Sequence, residues 1–215
     1  SSDKAVRPTN VMGATKLFSE LIVKELSSIQ NCKTIFSIVR FGNVIDSSGS
    51  VIPLFRDQIK TGGPLTITHP DMERYFMTIT EAVNLVLEAS VIMKGGETFI
   101  LDMGKRIKII ELAKNMIKAS GLEPKNIDNK NGDIEIQIIG IRPGEKIIEE
   151  LTFNGYLEKT MHPLINIARE EINVPIDFSN KINQVISFIE NNQENKAIEI
   201  FDTLSKTILR TTNKN

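Results

Sequence analysis

The 215 residues include one cysteine, Cys32, two histidines, no tryptophan and no excess of either charge. A single thiol excludes an internal disulfide framework and fits a reducing, cytoplasmic setting. His69, His162 and Cys32 stand at no metal-ligand spacing, so no structural metal is expected. Lysine and arginine number 26 against 27 aspartates and glutamates, a net charge of -1 that gives no footing for nucleic-acid binding. No apolar run approaches the ~20 residues a membrane span needs, and no cleavable signal is visible, so direct membrane contact is not expected. The most consequential absence is a glycine motif. A dinucleotide-binding fold admits a pyrophosphate through Gly-x-Gly-x-x-Gly between a strand and the helix it opens. Neither Gly62-Gly63 nor Gly95-Gly96 supplies it.

What is present reads as globular. Hydrophobic residues make up 40% and charged residues 25%, enough for one domain or one and a half with a sizeable core. The densest chemistry is at the start, Ser1-Ser2-Asp3-Lys4-Ala5-Val6-Arg7-Pro8-Thr9-Asn10-Val11-Met12-Gly13-Ala14-Thr15-Lys16. Pro8 opens a turn, Thr9 or Asn10 can cap, and Val11, Leu17, Leu21, Ile22 and Leu26 recur at helical spacing as far as Ser27. Met12 and Lys16, one turn apart, then face the same way, and Asp3-Lys4 just upstream brings three ionisable groups toward one small volume.

Further on, Thr34 to Arg40 reads as a buried parallel strand running into Phe41-Gly42-Asn43-Val44, and Val51 to Lys60 reads as a helix with Pro53 in its first turn. Leu65 to Thr68 alternates as a strand. Thr80 is expected to cap a helix from Glu81 to Val91 that buries Val83, Leu85, Val86 and Leu87. A strand over Thr98–Met103, a basic stretch from Lys105 to Lys108, a helix over Ile109–Ser120 and a strand over Ile134–Ile139 follow. Glu145 is expected to cap a helix reaching Leu151, and two amphipathic helices over Phe178–Asn192 and Glu194–Leu209 close the chain.

Three segments carry a resemblance. Ser2-Asp3-Lys4-Ala5-Val6 with Asn10-Val11-Met12-Gly13-Ala14-Thr15-Lys16, then Pro64 to Met77, then Arg142-Pro143-Gly144-Glu145-Lys146, occur in order. Together they resemble the nucleotide-sugar 4,6-dehydratases of bacterial polysaccharide biosynthesis, the CapD-like branch of the extended short-chain dehydrogenase/reductase family. That branch is similar to this chain in carrying Met, here Met12, where most of the superfamily has tyrosine. The resemblance implies an α/β fold: the C-terminal part of a Rossmann-like domain plus a smaller substrate lobe, with the glycine-rich cofactor half absent. Residues 1–50 would complete the dinucleotide-binding domain, 51–176 would form mainly the substrate lobe, and 177–215 the terminal helices.

It also implies roles. Lys4 would be the base at C5 of the hexose, Asp3 the acid at C6, and Ser2 would contact the 4-oxygen. Lys16 would hold the nicotinamide ribose of NAD, and Phe41 would pass the nicotinamide. Asn43, Arg74 and Arg142 would grip the diphosphate of a UDP-sugar, most simply UDP-N-acetylglucosamine. Val51, Phe55 and Thr68 would flank the nucleotide and Glu145 its ribose. The partners implied are a UDP-sugar, the N-terminal cofactor-binding half of a longer parent, which would carry any membrane anchor, and a second copy of the chain. Two other readings stand beside this one: a nucleotide-sugar 4-epimerase, and a non-catalytic fragment that binds nucleotide sugar or a partner chain.

Overall fold

In a computed structural model of the chain, the structure describes residues 1–212 except 30, 126–128, 171 and 173. A 3-10 turn over Asp3–Ala5 leads to α1 (Val11–Ser27), β1 (Ile38–Arg40), β2 (Asn43–Val44) and α2 (Val51–Lys60). Next come β3 (Leu65–Ile67), β4 (Glu73–Arg74), β5 (Phe76–Met77), α3 (Ile79–Ile92) and β6 (Thr98–Leu101). The chain continues through β7 (Ile107–Lys108), α4 (Ile109–Ala119), β8 (Pro124–Lys125) and β9 (Ile134–Ile138). It ends with β10 (Leu157–Lys159), β11 (Ile165–Ala168), α5 (Phe178–Glu190) and α6 (Glu194–Thr212). Among the described residues, no helix is long and apolar enough to cross a membrane.

Two sheets organise these elements. One runs β1-β6-β11-β10, with β1 parallel to β6 and β11 antiparallel to it. The other runs β3-β9-β8 and is parallel throughout. Ser2 bridges Phe41, and the Asp3 amide donates to Phe41 O at 3.0 Å, so the first residues lie along the continuation of β1. Three apolar clusters fill the interior. Leu17, Phe18 and Leu21 of α1 meet Phe153, Phe178, Leu204 and Ile208. Phe55 and Leu65 meet Ile109, Ala113 and Ile117. Leu85 and Ala89 meet Phe99, Leu101 and Ile165. Each large side chain so buried stabilises the fold by about 1.5–3 kcal/mol before entropy.

Several expected boundaries move for local reasons. The first strand begins at Ile38 rather than Thr34, because β6 starts at Thr98, the partner of Ile38, and before it Gly95 and Gly96 turn at positive φ, so that the Gly96 amide donates to Phe36 O at 2.7 Å without continuing the ladder. α3 is capped by Thr78, not Thr80. Thr78 accepts from the Glu81 amide while the Glu81 carboxylate accepts from the Thr78 amide, a reciprocal box that requires this three-residue spacing. Its buried stripe is Ala82, Leu85 and Ala89, leaving Val83, Val86 and Leu87 exposed. No helix follows Glu145. The carbonyls of Lys146 and Ile147, which a helix would need as acceptors, are taken by the Arg74 guanidinium at 2.7 and 2.9 Å. The basic stretch around β7 pairs with acids: Arg106 stands 3.6 Å from Glu73 and Lys108 3.8 Å from Asp71.

Beneath α1 lies a buried ion cluster. Arg40 is fully buried, and all five of its N–H groups are engaged. Nε and Nη2 donate to Glu20 of α1 at 3.1 and 2.7 Å. Nη1 and Nη2 donate to Glu170 at 2.9 and 3.1 Å, and Nη1 to Leu151 O at 2.8 Å. Burial works against the guanidinium's charge, but the bonds and charges of Glu20 and Glu170 outweigh it and raise its proton affinity above the ordinary arginine value. Arg40→Ala would leave two buried carboxylates unpaired, so a loss of about 3–5 kcal/mol is expected in urea unfolding monitored by circular dichroism. A loss below about 1 kcal/mol, typical of an exposed pair, would contradict this account.

Candidate active site

Between the two sheets opens a cavity of about 860 Å³, larger than the apolar groove of about 520 Å³ that α1 forms with α5 and α6. Asn10 sets one wall by capping α1. Its side chain accepts from the Gly13 amide at 2.8 Å, and the helix then presents Met12 and Lys16, both exposed, to the cavity. The 3-10 turn contributes Ser2 and Lys4, β2 contributes Asn43, and the N-terminal end of α2 contributes Val51 and Leu54. Thr68, Arg74, Arg142 and Glu145 line the opposite side.

At the centre, Lys4 Nζ donates to Asp3 Oδ1 and to Asn43 Oδ1, each at 3.0 Å. Because the Asn43 carbonyl oxygen is occupied by Lys4, its NH2 group remains the end that can donate to a ligand. Ser2 Oγ donates to Asp3 Oδ1 at 2.9 Å. Asp3 itself is fully buried and does not line the cavity. Gly42 does, and a Cβ there would stand 3.0 Å from Asp3 Oδ2, 3.0 Å from Tyr75 Cβ and 3.2 Å from Met103 Sδ. Glycine at 42 therefore lets the backbone of the cavity wall pack directly against the buried carboxylate, a requirement that its place in an ordinary-looking turn did not disclose.

The Arg-Pro-Gly-Glu-Lys segment is docked onto the start of α1. Thr9 Oγ1 and Asn10 Nδ2 donate to Gly144 O at 2.6 and 2.9 Å. Gly144 has φ +73°, and a Cβ on it would come within 2.7 Å of Thr9 O, so only glycine fits. Glu145 follows in the same turn. Its Oε1 accepts from Thr68 Oγ1 at 3.2 Å and its Oε2 from the Arg142 amide at 3.2 Å. Arg142 is exposed at the rim.

Two expected site residues fall elsewhere, and a third is present but committed. Phe55 is fully buried in the cluster with Leu65 and Ile109, so the apolar contact from α2 comes from Val51 and Leu54 instead. The Phe41 side chain packs on the core around Phe99 and Leu101 and does not line the cavity. Arg74 is 92% buried rather than a surface arginine. Nη1 donates to Glu73 O and Ile147 O at 2.7 and 2.9 Å, and Nη2 to Lys146 O at 2.7 Å. Three of its five N–H groups thus hold protein carbonyls, which makes it first a clamp on the 146–147 backbone.

Comparison with known proteins agrees with this layout. The family model described as polysaccharide biosynthesis protein matches residues 1–170. The capsular polysaccharide biosynthesis protein CapD of Staphylococcus aureus is 58% identical over 151 residues, covering 70% of this chain and 24% of that protein. A UDP-glucose 4-epimerase of Rickettsia canadensis is 40% identical over 160 residues, covering 74% of this chain and 44% of that protein. The X-ray structure of Pen from Bacillus thuringiensis superposes with a TM-score of 0.67 at 41% identity, covering 78% of this chain and 50% of that one. The chain thus spans about a quarter of the length of CapD and half that of Pen. Its fold is the α/β, Rossmann-like fold of extended short-chain dehydrogenases, covered in part.

Lysine at 74 could reach one carbonyl but not fork across three. Arg74→Lys is therefore expected to cost about 1–3 kcal/mol and to speed hydrogen exchange at the Glu73 amide, which donates to Ile147 O. Unchanged exchange at that amide would remove the clamp from the account.

Proposed function

This chain belongs to the polysaccharide biosynthesis protein family, and on that premise we propose that it carries the acid–base pair and sugar-nucleotide grip of an enzyme that dehydrates a UDP-sugar. UDP-N-acetylglucosamine is the substrate we favour, and the product is its 4-keto-6-deoxy derivative. The observation that carries the reading is Lys4 Nζ, held 3.0 Å from both Asp3 and Asn43 on a cavity wall shared with Ser2, Met12 and Lys16. Such a lysine, next to a buried acid, serves a reaction that removes a carbon-bound proton and expels a hydroxyl.

NAD, when bound, would supply the hydride chemistry at C4 and C6. Lys16 and Met12, exposed side by side on α1, suit the nicotinamide ribose, while the pyrophosphate would be held by the N-terminal half of a longer parent. This chain's residues then move protons. Ser2 Oγ, on the cavity wall and bonded to Asp3, passes the proton of O4 to that carboxylate, which Met12 has no atom to accept. Asp3 delivers the same proton to the C6 hydroxyl, which leaves as water. Lys4, as the free amine, takes the C5 proton and, after exchange of its ammonium protons with solvent, protonates C5 once the hydride has reached C6. The protons balance with no net redox change.

Asn43 and Arg142 face the diphosphate, and Glu145 with Thr68 the nucleotide ribose. Val51 and Leu54 lie against the base. The exposed apolar stripe of α3 suits a second copy of the chain or the cofactor-binding half.

An epimerase is the second reading, favoured by the name of the Rickettsia relative. It would invert C4 without a base at C5, which leaves the Asp3–Lys4 pair without work. The two are separated by incubating the longer parent enzyme with UDP-N-acetylglucosamine and NAD in deuterium oxide. Loss of one water with deuterium at C5 is expected, and Asp3→Asn should slow it by about 100- to 10,000-fold. An epimerised sugar retaining its C6 hydroxyl and C5 hydrogen would overturn the dehydratase. For this chain alone, saturating UDP at ~100 times its dissociation constant should stabilise by about 2.7 kcal/mol in a thermal-shift titration, and Arg142→Ala should erase most of that shift.

A further inference from the structure

One titratable side chain beside the cavity has no part in the chemistry above. Glu149 is 6% exposed, and its Oε2 has no hydrogen-bond partner among the described residues. Asp3 Oδ2 is in the same position. Lys146 Nζ stands 3.8 Å from Glu149 Oε2, beyond hydrogen-bond reach, and donates instead to Val6 O at 2.6 Å.

Glu149 is fastened in place from both sides. Upstream, Arg74 holds the carbonyls of Lys146 and Ile147, and the Glu73 amide donates to Ile147 O at 3.0 Å. Downstream, Arg40 holds Leu151 O at 2.8 Å. The backbone on either side of Glu149 is therefore held in place.

An ionised carboxylate with a buried, unbonded oxygen is strongly disfavoured, whereas the neutral acid adds an O–H donor that two acceptor-only oxygens lack. The surrounding groups agree. Burial, and after it the charge of Asp3, raise the proton affinity of Glu149, while Lys4, Arg74 and Lys146 pull the other way without prevailing.

We propose that Glu149 is a further positioning residue of this site, a buried carboxyl with an unbonded oxygen that steadies Asp3 against Lys4. The inference rests on the reading of Asp3 and Lys4 as the acid–base pair. It adds that the pair works beside a third carboxyl whose charge state it senses. Because folded Glu149 binds its proton more tightly than the unfolded chain does, stability falls as pH rises from the ordinary glutamate range through Glu149's own.

The test uses this chain and does not depend on turnover. Infrared spectra are recorded at a pH where exposed carboxylates are ionised, for the wild type and Glu149→Gln. In parallel, the Lys4 side-chain carbon signals are followed by NMR across the pH range. A protonated-carboxyl band is expected in the wild type and not in Glu149→Gln. The Lys4 signal should carry an inflection that the variant lacks, and the variant should lose the fall in stability with rising pH. Absence of the band from the wild type would overturn the proposal whether or not the variant folds, as would a band present in both. A band lost with Lys4 titrating identically in both proteins would show a protonated but uncoupled carboxyl, and so would overturn the positioning role. None of these outcomes bears on whether the parent enzyme dehydrates or epimerises its sugar, which the product analysis decides.

Discussion

The arrangement depends on Arg40. Its guanidinium joins α1 through Glu20, the end of β11 through Glu170 and the segment after Glu149 through Leu151 O, with β1 supplying the arginine itself. A buried charge of this kind contributes little net stability, because desolvation offsets most of the attraction. Its effect is to fix geometry. Five donors meet five acceptors, so α1 has one rotation and height relative to β1. Lys16 lies one turn before Glu20 on that helix, and Asn43 lies three residues beyond Arg40. The ion cluster beneath α1 thereby sets the spacing between α1 and β1, and with it that of Lys16 and Asn43 on one cavity wall.

A second arginine plays the matching part in the short β4–β7 pair. Arg74 consumes the carbonyls that a helix after Glu145 would have used, and holds the segment as a turn and loop. Gly144, docked on Thr9 and Asn10, ties that loop to the start of α1. The cavity is thus closed by side-chain-to-backbone hydrogen bonds between segments more than 130 residues apart in sequence. Its polar side chains hang from that frame. Lys4 is positioned by two acceptors from different elements, one of them buried, an arrangement suited to a group that must meet a substrate atom without searching for it.

Local chemistry was legible where one segment decides the outcome. The Asn10 cap, the helix from Val11 to Ser27, the helix from Val51 to Lys60 and the strand from Ile134 follow from caps, periodicity and alternation that need no distant partner. The Asp3-Lys4 pair and its alignment with Met12 and Lys16 were readable because a turn and the first turns of one helix contain them all. Predictions failed where a distant group intervened. Thr34 to Ser37 have strand propensity, but the chain opposite them turns at Gly95 and Gly96 and cannot continue the ladder. Residues 145–151 have helical character but lose their acceptors to Arg74. Phe55 looks like a ligand contact beside Val51 until Ile109 and Ala113 close over it.

By itself, then, the sequence determined the long helices, the family and the cluster of ionisable groups at its start, because these rest on spacings within a dozen residues or on motifs whose order survives in one dimension. Only the tertiary structure decided that Arg40 is buried among two glutamates, that Arg74 holds backbone before anything else, and that Gly42 packs against the buried Asp3 carboxylate. It also brought Glu149 to the back of the site. Burial is the physical reason: whether a charged side chain is solvated, paired or stripped of partners depends on which remote segment packs over it, and no local pattern carries that information.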